Sequence, residues 1–330
     1  MVGGRTVHSI VFGDIAGCMG VVRSAYLAHG AGRSVNPNSY FLRFPDRPAA
    51  RIIALPAFLG AEFDVAGIKW ISSFPENVRQ GIPRASAVLV LNDCVNGYPF
   101  ACLEASIISA ARTAASAVLA AEACLQGRPR PRTLGIVGNG LIARYLYEFF
   151  VRSGWSFPNL RLFDAEPGES RRFSERLALD ERHAVVHDDA VEPLLRASDL
   201  ILFATTAGTP YVHDAGLFAH SPLVLHISLR DLGTDVLLAA YNVVDDIEHV
   251  LHANTSPHLT EQRVGHREFL HATIPQLLSG EARLGTDRPI VVSPFGLGVL
   301  DLAVGQWVHG QARSRGELVD LPDFFWEMDR

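Results

Sequence analysis

The chain has 330 residues, 48% of them hydrophobic and 19% charged, with a formal net charge of -6. That is enough apolar material for a large core and, by length, for about two domains. The acidic balance gives no counterion-release drive toward nucleic acid, and no block of consecutive basic residues suggests an anionic membrane surface, so neither is an expected partner.

The N-terminal stretch MVGGRTVHSIVFGDIAG lacks a basic region followed by a long apolar run. The alanine-rich stretch 101–125 is interrupted by Glu104, Arg112 and Glu122, so membrane insertion is not expected either. Four cysteines, Cys18, Cys94, Cys102 and Cys124, have no CxxC spacing. They read as reduced, mostly buried thiols of a cytoplasmic protein rather than a disulfide framework or a metal site.

From about residue 39 to 92 the apolar runs are short and punctuated by Pro, Gly and Asn: SYFLRF, ARIIALPA, AGIKWISSF and SAVLVLND. These predict antiparallel strands. The third run holds Lys69, the only lysine of the chain; the other 28 of its 29 Lys and Arg residues are arginine. A strand lysine can lay its stem along apolar surface and keep its ammonium wet. Alternatively, the site needs a compact donor whose pKa burial can lower, which a guanidinium cannot provide.

The stretch PFACLEASIISAARTAASAVLAAEACLQG follows, predicted as about seven turns of helix stopped by Gly127 and the breaker run RPRPR. Within it Arg112 lies on a nearly uncharged surface and needs an anion, either an internal glutamate or a substrate carboxylate held by its fork. Arg43, in YFLRF, raises the same question.

Beyond Arg132 strands alternate with helices, the pattern of βαβ units and a parallel sheet. Strands are expected at TLGIVG, LRLFDA, HAVVHDD, DLILFATT, LVLHISL, NVVDD and PIVVSPF, with helices at LIARYLYEFFVRSG, SRRFSERLAL and AVEPLLRAS. A last helix, VLDLAVGQWVHGQARSRG, leads to a tail, LVDLPDFFWEMDR, whose aromatic residues should pack back on the first domain.

The segment TLGIVGNGLIAR places Gly138, Asn139, Gly140, Leu141, Ile142 and Ala143 directly after a strand and at the start of a helix. Glycines there let backbone approach a pyrophosphate, and the helix N-terminus supplies N–H groups and a positive dipole end. Asp164 ends the next strand, where a carboxylate accepts from the adenosine ribose and repels a 2′-phosphate, favouring NAD over NADP; a helix N-cap is the structural alternative. Thr205 and Thr206 end the fourth strand and Ser228 to Asp231 end the fifth, where open parallel sheets collect ligands. For the threonines a polar loop start is the alternative.

Taken together, the "IK" strand, the EA…ARTAA helix, VGNGLIA, ATT, HIS and FGLGVLDLA resemble the ornithine cyclodeaminase and mu-crystallin family over nearly the whole chain. NPNSYFLRFP, GIKWISSFPENV, YPFACLEASIISAARTAASAVLAA, NTSPHL and SPFGLGVLDLAVG are similar to its N-(2-amino-2-carboxyethyl)-L-glutamate dehydrogenase branch. The resemblance implies an α/β fold: a Rossmann NAD-binding domain over 128–304, and a mixed α+β substrate-binding and dimerisation domain over 1–127 and 305–330. It implies a homodimer, a substrate pocket lined by Arg43, Lys69 and Arg112, and a Thr113 that touches the cofactor phosphates; Ser228 and Leu229, at the end of the fifth strand, are further cofactor-binding candidates. Asp231 is the nearest match to the family's catalytic aspartate. The loop SLRDLGTD is shorter than the family's, so Asp235 competes for that role, and Pro294 stands where many relatives have serine. The activity implied is NAD-dependent oxidation of a glutamate–diaminopropionate secondary amine to 2-oxoglutarate and L-2,3-diaminopropionate, in siderophore or antibiotic precursor synthesis. The upstream partner would be a PLP-dependent synthase using phosphoserine and glutamate. An ornithine or lysine cyclodeaminase and a non-catalytic binding protein are the alternatives.

Overall fold

The computed structural model describes residues 1–325 and divides into two compact units, residues 1–112 with the chain from 297 onward, and residues 113–296. The boundaries expected from sequence lie later in the chain, at 127 and 305. The sequence places the first at the helix stop, Gly127, whereas the chain divides within that helix, after Arg112.

The first unit opens with two helices that composition alone does not suggest, α1 (Gly4–Gly13) and α2 (Ile15–Gly30). Asp14 separates them and caps the second by accepting from Gly17 N at 2.8 Å. Six antiparallel-paired strands follow: β1 (Ser34–Val35), β2 (Tyr40–Phe44), β3 (Arg47–Leu59), β4 (Val65–Ser73), β5 (Ala85–Asp93) and β6 (Pro99–Glu104). The sheet order is β1-β3-β4-β5-β6, with β2 also on β3.

β6 occupies the stretch where the long helix is expected to begin, at Pro99; α3 runs only over Ser106–Cys124. The reason is local. Asp93 Oδ1 accepts from the backbone N–H groups of Val95 and Asn96, and Gly97 takes a positive φ of 78°, turning the chain into a hairpin that pairs β6 with β5. α3 is apolar and long enough to cross a membrane by length and composition, but 67% of that window is buried within the fold.

The second unit is a doubly wound parallel sheet. Its strands are β7 (Thr133–Val137), β8 (Asn159–Phe163), β9 (Ala184–His187), β10 (Leu200–Phe203), β11 (Leu223–His226), β12 (Tyr241–Val244), β13 (Leu270–Thr273) and β14 (Ile290–Ser293). Between them lie α4 (Leu141–Arg152), α5 (Glu169–Leu177), α6 (Val191–Ala197), α7 (Thr234–Leu238), α8 (Ile247–Val250), α9 (Ser256–Val264) and α10 (Ile274–Ser279). The order β13-β12-β14-β11-β10-β7-β8-β9 reverses direction at β7, so the carboxyl ends of β7 and β10 flank the switch point where such sheets bind ligands. This is the Rossmann arrangement. β13 is absent from the strands expected from sequence because LHAT is too short to show a period.

The chain then returns to the first unit as α11 (Gly298–Ser314), which packs on α2 and on one face of β3, β4 and β5. The approach is close. A Cβ on Gly305 would sit 2.1 Å from Leu89 Cδ2, and one on Gly67 would sit 2.9 Å from Leu302 Cδ2. In the tail the Phe325 ring meets Tyr98 edge-on at 5.2 Å; Trp326, expected to pack with it, lies outside the described residues.

Candidate functional site

In the first unit the site starts from register. Lys69 pairs with Leu55 on one side and Leu89 on the other, so it points to the face that α11 covers, and it is only 2% exposed. Snorkelling to solvent is thereby excluded. One turn before the glycine that seats α11 stands Asp301, fully buried, whose Oδ2 accepts from Lys69 Nζ at 2.6 Å. Its Oδ1 faces Arg112 Nε at 3.3 Å, and Ser109 Oγ accepts from Lys69 Nζ at 3.1 Å. The anion that Arg112 needs is an aspartate 189 positions away, not a nearby glutamate, and no local pattern reveals it. Burial lowers the Lys69 pKa from 10.5 to about 8; the Asp301 charge opposes that shift and the Arg112 charge adds to it. With all three ionised, the cluster carries one positive charge in excess.

Arg43 does not join this cluster. It pairs with Arg51, which pairs with Ser73, four residues along β4 from Lys69. Its guanidinium lies over the Phe41 ring at 5.3 Å.

In the second unit the Gly-rich loop has the features of a dinucleotide cradle. Gly138 has φ +86°, and a Cβ there would strike Ala204 O at 2.8 Å, so that glycine is required by the fold. Gly140 is different: a Cβ would meet no protein atom within 4 Å, so internal packing does not demand it, whereas a closely approaching ligand would. No side chain caps the N-terminus of α4, and buried Asn139 Oδ1 has no hydrogen-bond partner. Ala143 is fully buried under the helix. Leu141 and Ile142 open that helix, with Leu141 51% exposed. Free N–H groups at a positive helix end beside an open glycine fit a pyrophosphate.

Asp164 is not a helix N-cap, since α5 is capped by Gly168. Its Oδ2 accepts from Asn139 N at 2.7 Å and its Oδ1 from Glu166 N at 2.9 Å. The carboxylate thus ties the glycine loop to the end of β8, with lone pairs left for a ribose diol.

At the ends of β10 and β11 the structure gathers a network. Asp231 is fully buried. Its Oδ1 accepts from Thr205 Oγ1 at 2.5 Å and Tyr211 Oη at 3.1 Å, and its Oδ2 from Ser228 Oγ, with His226 Nε2 at 3.1 Å. His226 Nδ1 in turn lies 3.2 Å from Ser293 Oγ. Burial alone would push the Asp231 carboxyl up; the hydrogen bonds and charge of His226, then those of Ser228 and Thr205, hold it below the usual carboxylate range. Tyr211 is pushed up by burial and by Asp231. His226, Tyr211 and Asp301 are not among the residues expected from sequence.

Thr206 is exposed at the strand end while Thr205 is committed to Asp231. Leu229 is buried with a positive φ of 68°, a strained conformation for a branched residue. Asp235, the competitor of Asp231, is 59% exposed in an ion pair with Arg263. Pro294 is buried directly after β14, and Thr113 follows Arg112 on α3.

The family model of the ornithine cyclodeaminase/mu-crystallin family matches residues 7–316. The N-((2S)-2-amino-2-carboxyethyl)-L-glutamate dehydrogenase of Staphylococcus aureus is 29% identical over 93% of this chain and 92% of its own. Among solved structures, the Δ1-pyrroline-2-carboxylate reductase of Thermococcus litoralis, in complex with NADH and L-proline, superposes with a TM-score of 0.88 at 20% identity, covering 97% of this chain and 99% of that one. An archaeal alanine dehydrogenase dimer with bound NAD superposes with a TM-score of 0.86 at 24% identity, covering 98% of each chain. With a family match over nearly the whole chain and the glycine loop, buried lysine and strand-end network in place, the chain belongs to the ornithine cyclodeaminase/mu-crystallin family.

Proposed function

We propose that this protein is an NAD-dependent amino acid dehydrogenase that oxidatively cleaves N-(2-amino-2-carboxyethyl)-L-glutamate to L-2,3-diaminopropionate and 2-oxoglutarate. The observation that carries the reading is the buried Lys69–Asp301–Arg112 cluster with one excess positive charge, which suits a substrate carboxylate. The similarity to the S. aureus enzyme over nearly the full chain supports the substrate, and the NAD(H)-bound relatives support the cofactor.

The loop Gly138 to Ile142 would hold the pyrophosphate, Asp164 the adenosine ribose, and Thr113, Thr206, Ser228 and Leu229 the remainder of the dinucleotide. When bound, NAD⁺ supplies an acceptor for the hydride on the glutamate Cα. Lys69 and Arg112 hold a carboxylate and fix the orientation of that carbon. Loss of hydride with the amine proton leaves a C=N bond; water adds to its carbon, and collapse releases the primary amine and the keto acid. Asp231, kept ionised by its donors, serves as an acceptor that orients the amine or the water, while Lys69, titrating near 8, delivers a proton to the departing nitrogen.

Mixing the protein with NAD⁺ and the secondary amine should give NADH, 2-oxoglutarate and diaminopropionate in equal amounts. Proline from ornithine with no net NADH would replace this reading by a cyclodeaminase, and no turnover with either would replace it by a binding protein. For the cofactor, Asp164→Ala should weaken NAD⁺ binding by about tenfold and reduce discrimination against NADP⁺, because a carboxylate that accepts from a diol and repels a phosphate is gone. Fluorescence titration of both nucleotides checks this, and equal wild-type affinities would refute the assignment.

Assembly as a homodimer is part of the proposal. On the sheet face opposite Lys69, Tyr40, Trp70 and Val88 stand in one cross-strand row with Ala54. They are 70%, 41% and 43% exposed, and Leu42 beside them is 48% exposed. An apolar patch of that kind suits a second copy, and the archaeal relative is a dimer. Trp70→Glu should shift the sedimenting species from dimer to monomer; an unchanged dimer would place the interface elsewhere.

A further inference from the structure

A second cationic group stands apart from Lys69. Arg43, Arg51 and Ser73 are cross-strand partners on β2, β3 and β4. They share the sheet face of Lys69, because Ser73 lies four residues from it on the same strand and side chains alternate. Arg84, just before β5, donates to Ser73 Oγ at 2.9 Å, so its guanidinium comes to the same spot. Among the described residues no carboxylate pairs with any of the three arginines. Burial, then the charge of Arg43, lowers the Arg51 pKa; burial, then the charge of Arg51, lowers that of Arg84.

Arg51 and Arg84 are half-buried while Arg43 is exposed; half-buried guanidiniums that repel one another without an anion are costly, and a fold keeps such an arrangement where something else supplies the negative charge. Arginine is the residue for that task, since its planar fork matches a carboxylate with two parallel N–H···O bonds. The separation from Lys69 is four residues at about 3.3 Å, or roughly 13 Å between backbones. The charged groups stand on long side chains that lean along the strand direction, so the backbone span does not fix the distance between them.

We propose that Arg51 and Arg84, with Arg43, form a second carboxylate subsite that selects substrates bearing a distal carboxylate in addition to the one held at Lys69 and Arg112. The inference rests on the proposed reaction, in which the glutamate unit carries both an α- and a γ-carboxylate. It deepens that reading by naming the residues that separate such a substrate from ornithine, alanine or proline, each of which lacks the second acid.

The test compares wild type with Arg51→Gln and Arg84→Gln in the full-length protein. Steady-state kinetics would use the glutamate-derived amine and an analogue in which the glutamate unit is replaced by 2-aminobutyrate. Each variant should raise KM for the former by about tenfold or more while leaving kcat/KM for the analogue within about twofold of wild type. Equal losses on both substrates, or none on either, would overturn the subsite. A separate measurement keeps this apart from the reaction itself: calorimetric binding of 2-oxoglutarate and of 2-oxobutyrate to the NADH-loaded protein. If the amine is not turned over but the variants lose 2-oxoglutarate binding selectively, the subsite stands and the assigned reaction falls. If turnover is normal and both keto acids bind the variants as they bind wild type, the reaction stands and the subsite falls.

Discussion

Lys69→Arg is expected to lower turnover of the aminocarboxyethyl-glutamate substrate by about 10²-fold or more, the scale of a lost positioning or acid–base group. The substitution looks conservative in a chain that writes arginine at every other Lys or Arg position, which makes it informative. A guanidinium retains the charge opposite Asp301 but is too wide for a position 2% exposed and already in contact with Asp301 and Ser109. It also loses the titration. In wild type Lys69 carries its proton below about 8 and loses it above, so the rate constant kcat/KM should fall as pH rises through that value. In the arginine variant whatever activity remains should show no such limb, because guanidinium stays charged over the accessible range. NAD⁺ affinity should be unchanged, since the groups proposed to hold the dinucleotide, the glycine loop and Asp164 among them, do not include Lys69. Wild-type turnover in Lys69→Arg would refute the assignment.

The uneven legibility of this molecule follows from where the information sits. The Rossmann unit is readable because most of its strands are short apolar runs ended by a Gly, Asp or Thr, and GNGLIA carries its meaning within six residues. Lys69 is readable for a different reason: as the single lysine among 29 Lys and Arg residues, it stands out by composition alone. Asp301 does not, because VLDLA is an ordinary amphipathic helix start, and the acid matters only once α11 folds back over a strand 232 positions away. The same holds for His226 and Tyr211, whose roles exist only when β10 and β11 bring Asp231 between them. The helix expected from Pro99 fails for a local cause, in which turn chemistry at Asp93 and Gly97 overrides the good helix formers that follow. Arg51 and Arg84 each look like a surface arginine in sequence; only the register of β3 and β4 and the hydrogen bond from Arg84 show that they converge on Ser73.

Asp301→Asn is the second variant with a large expected effect, and here the readout is stability against pH. The substitution keeps the shape and one acceptor but removes the charge between Lys69 and Arg112, leaving a buried and a partly buried cation together. Breaking a buried ion pair by removing one partner costs about 3–5 kcal/mol, so a loss of that order is expected near neutral pH in urea unfolding. The sign of its pH dependence follows from Lys69. The Asp301 charge raises the Lys69 pKa, so without it the folded value falls further below about 8, while the unfolded value stays at about 10.4. Between those values the unfolded chain binds more protons than the folded one, and stability rises with pH. The deficit of Asp301→Asn should therefore shrink as pH is raised from about 7 toward about 10, and the kcat/KM limb assigned to Lys69 should move to lower pH. Adding Lys69→Met to Asp301→Asn should recover part of the lost stability near neutral pH, because the second change removes the ammonium that the first left unpaired. A deficit that is the same at both pH values, together with no recovery in the double variant, would show that Asp301 serves only the packing of α11 and does not set the charge state of Lys69.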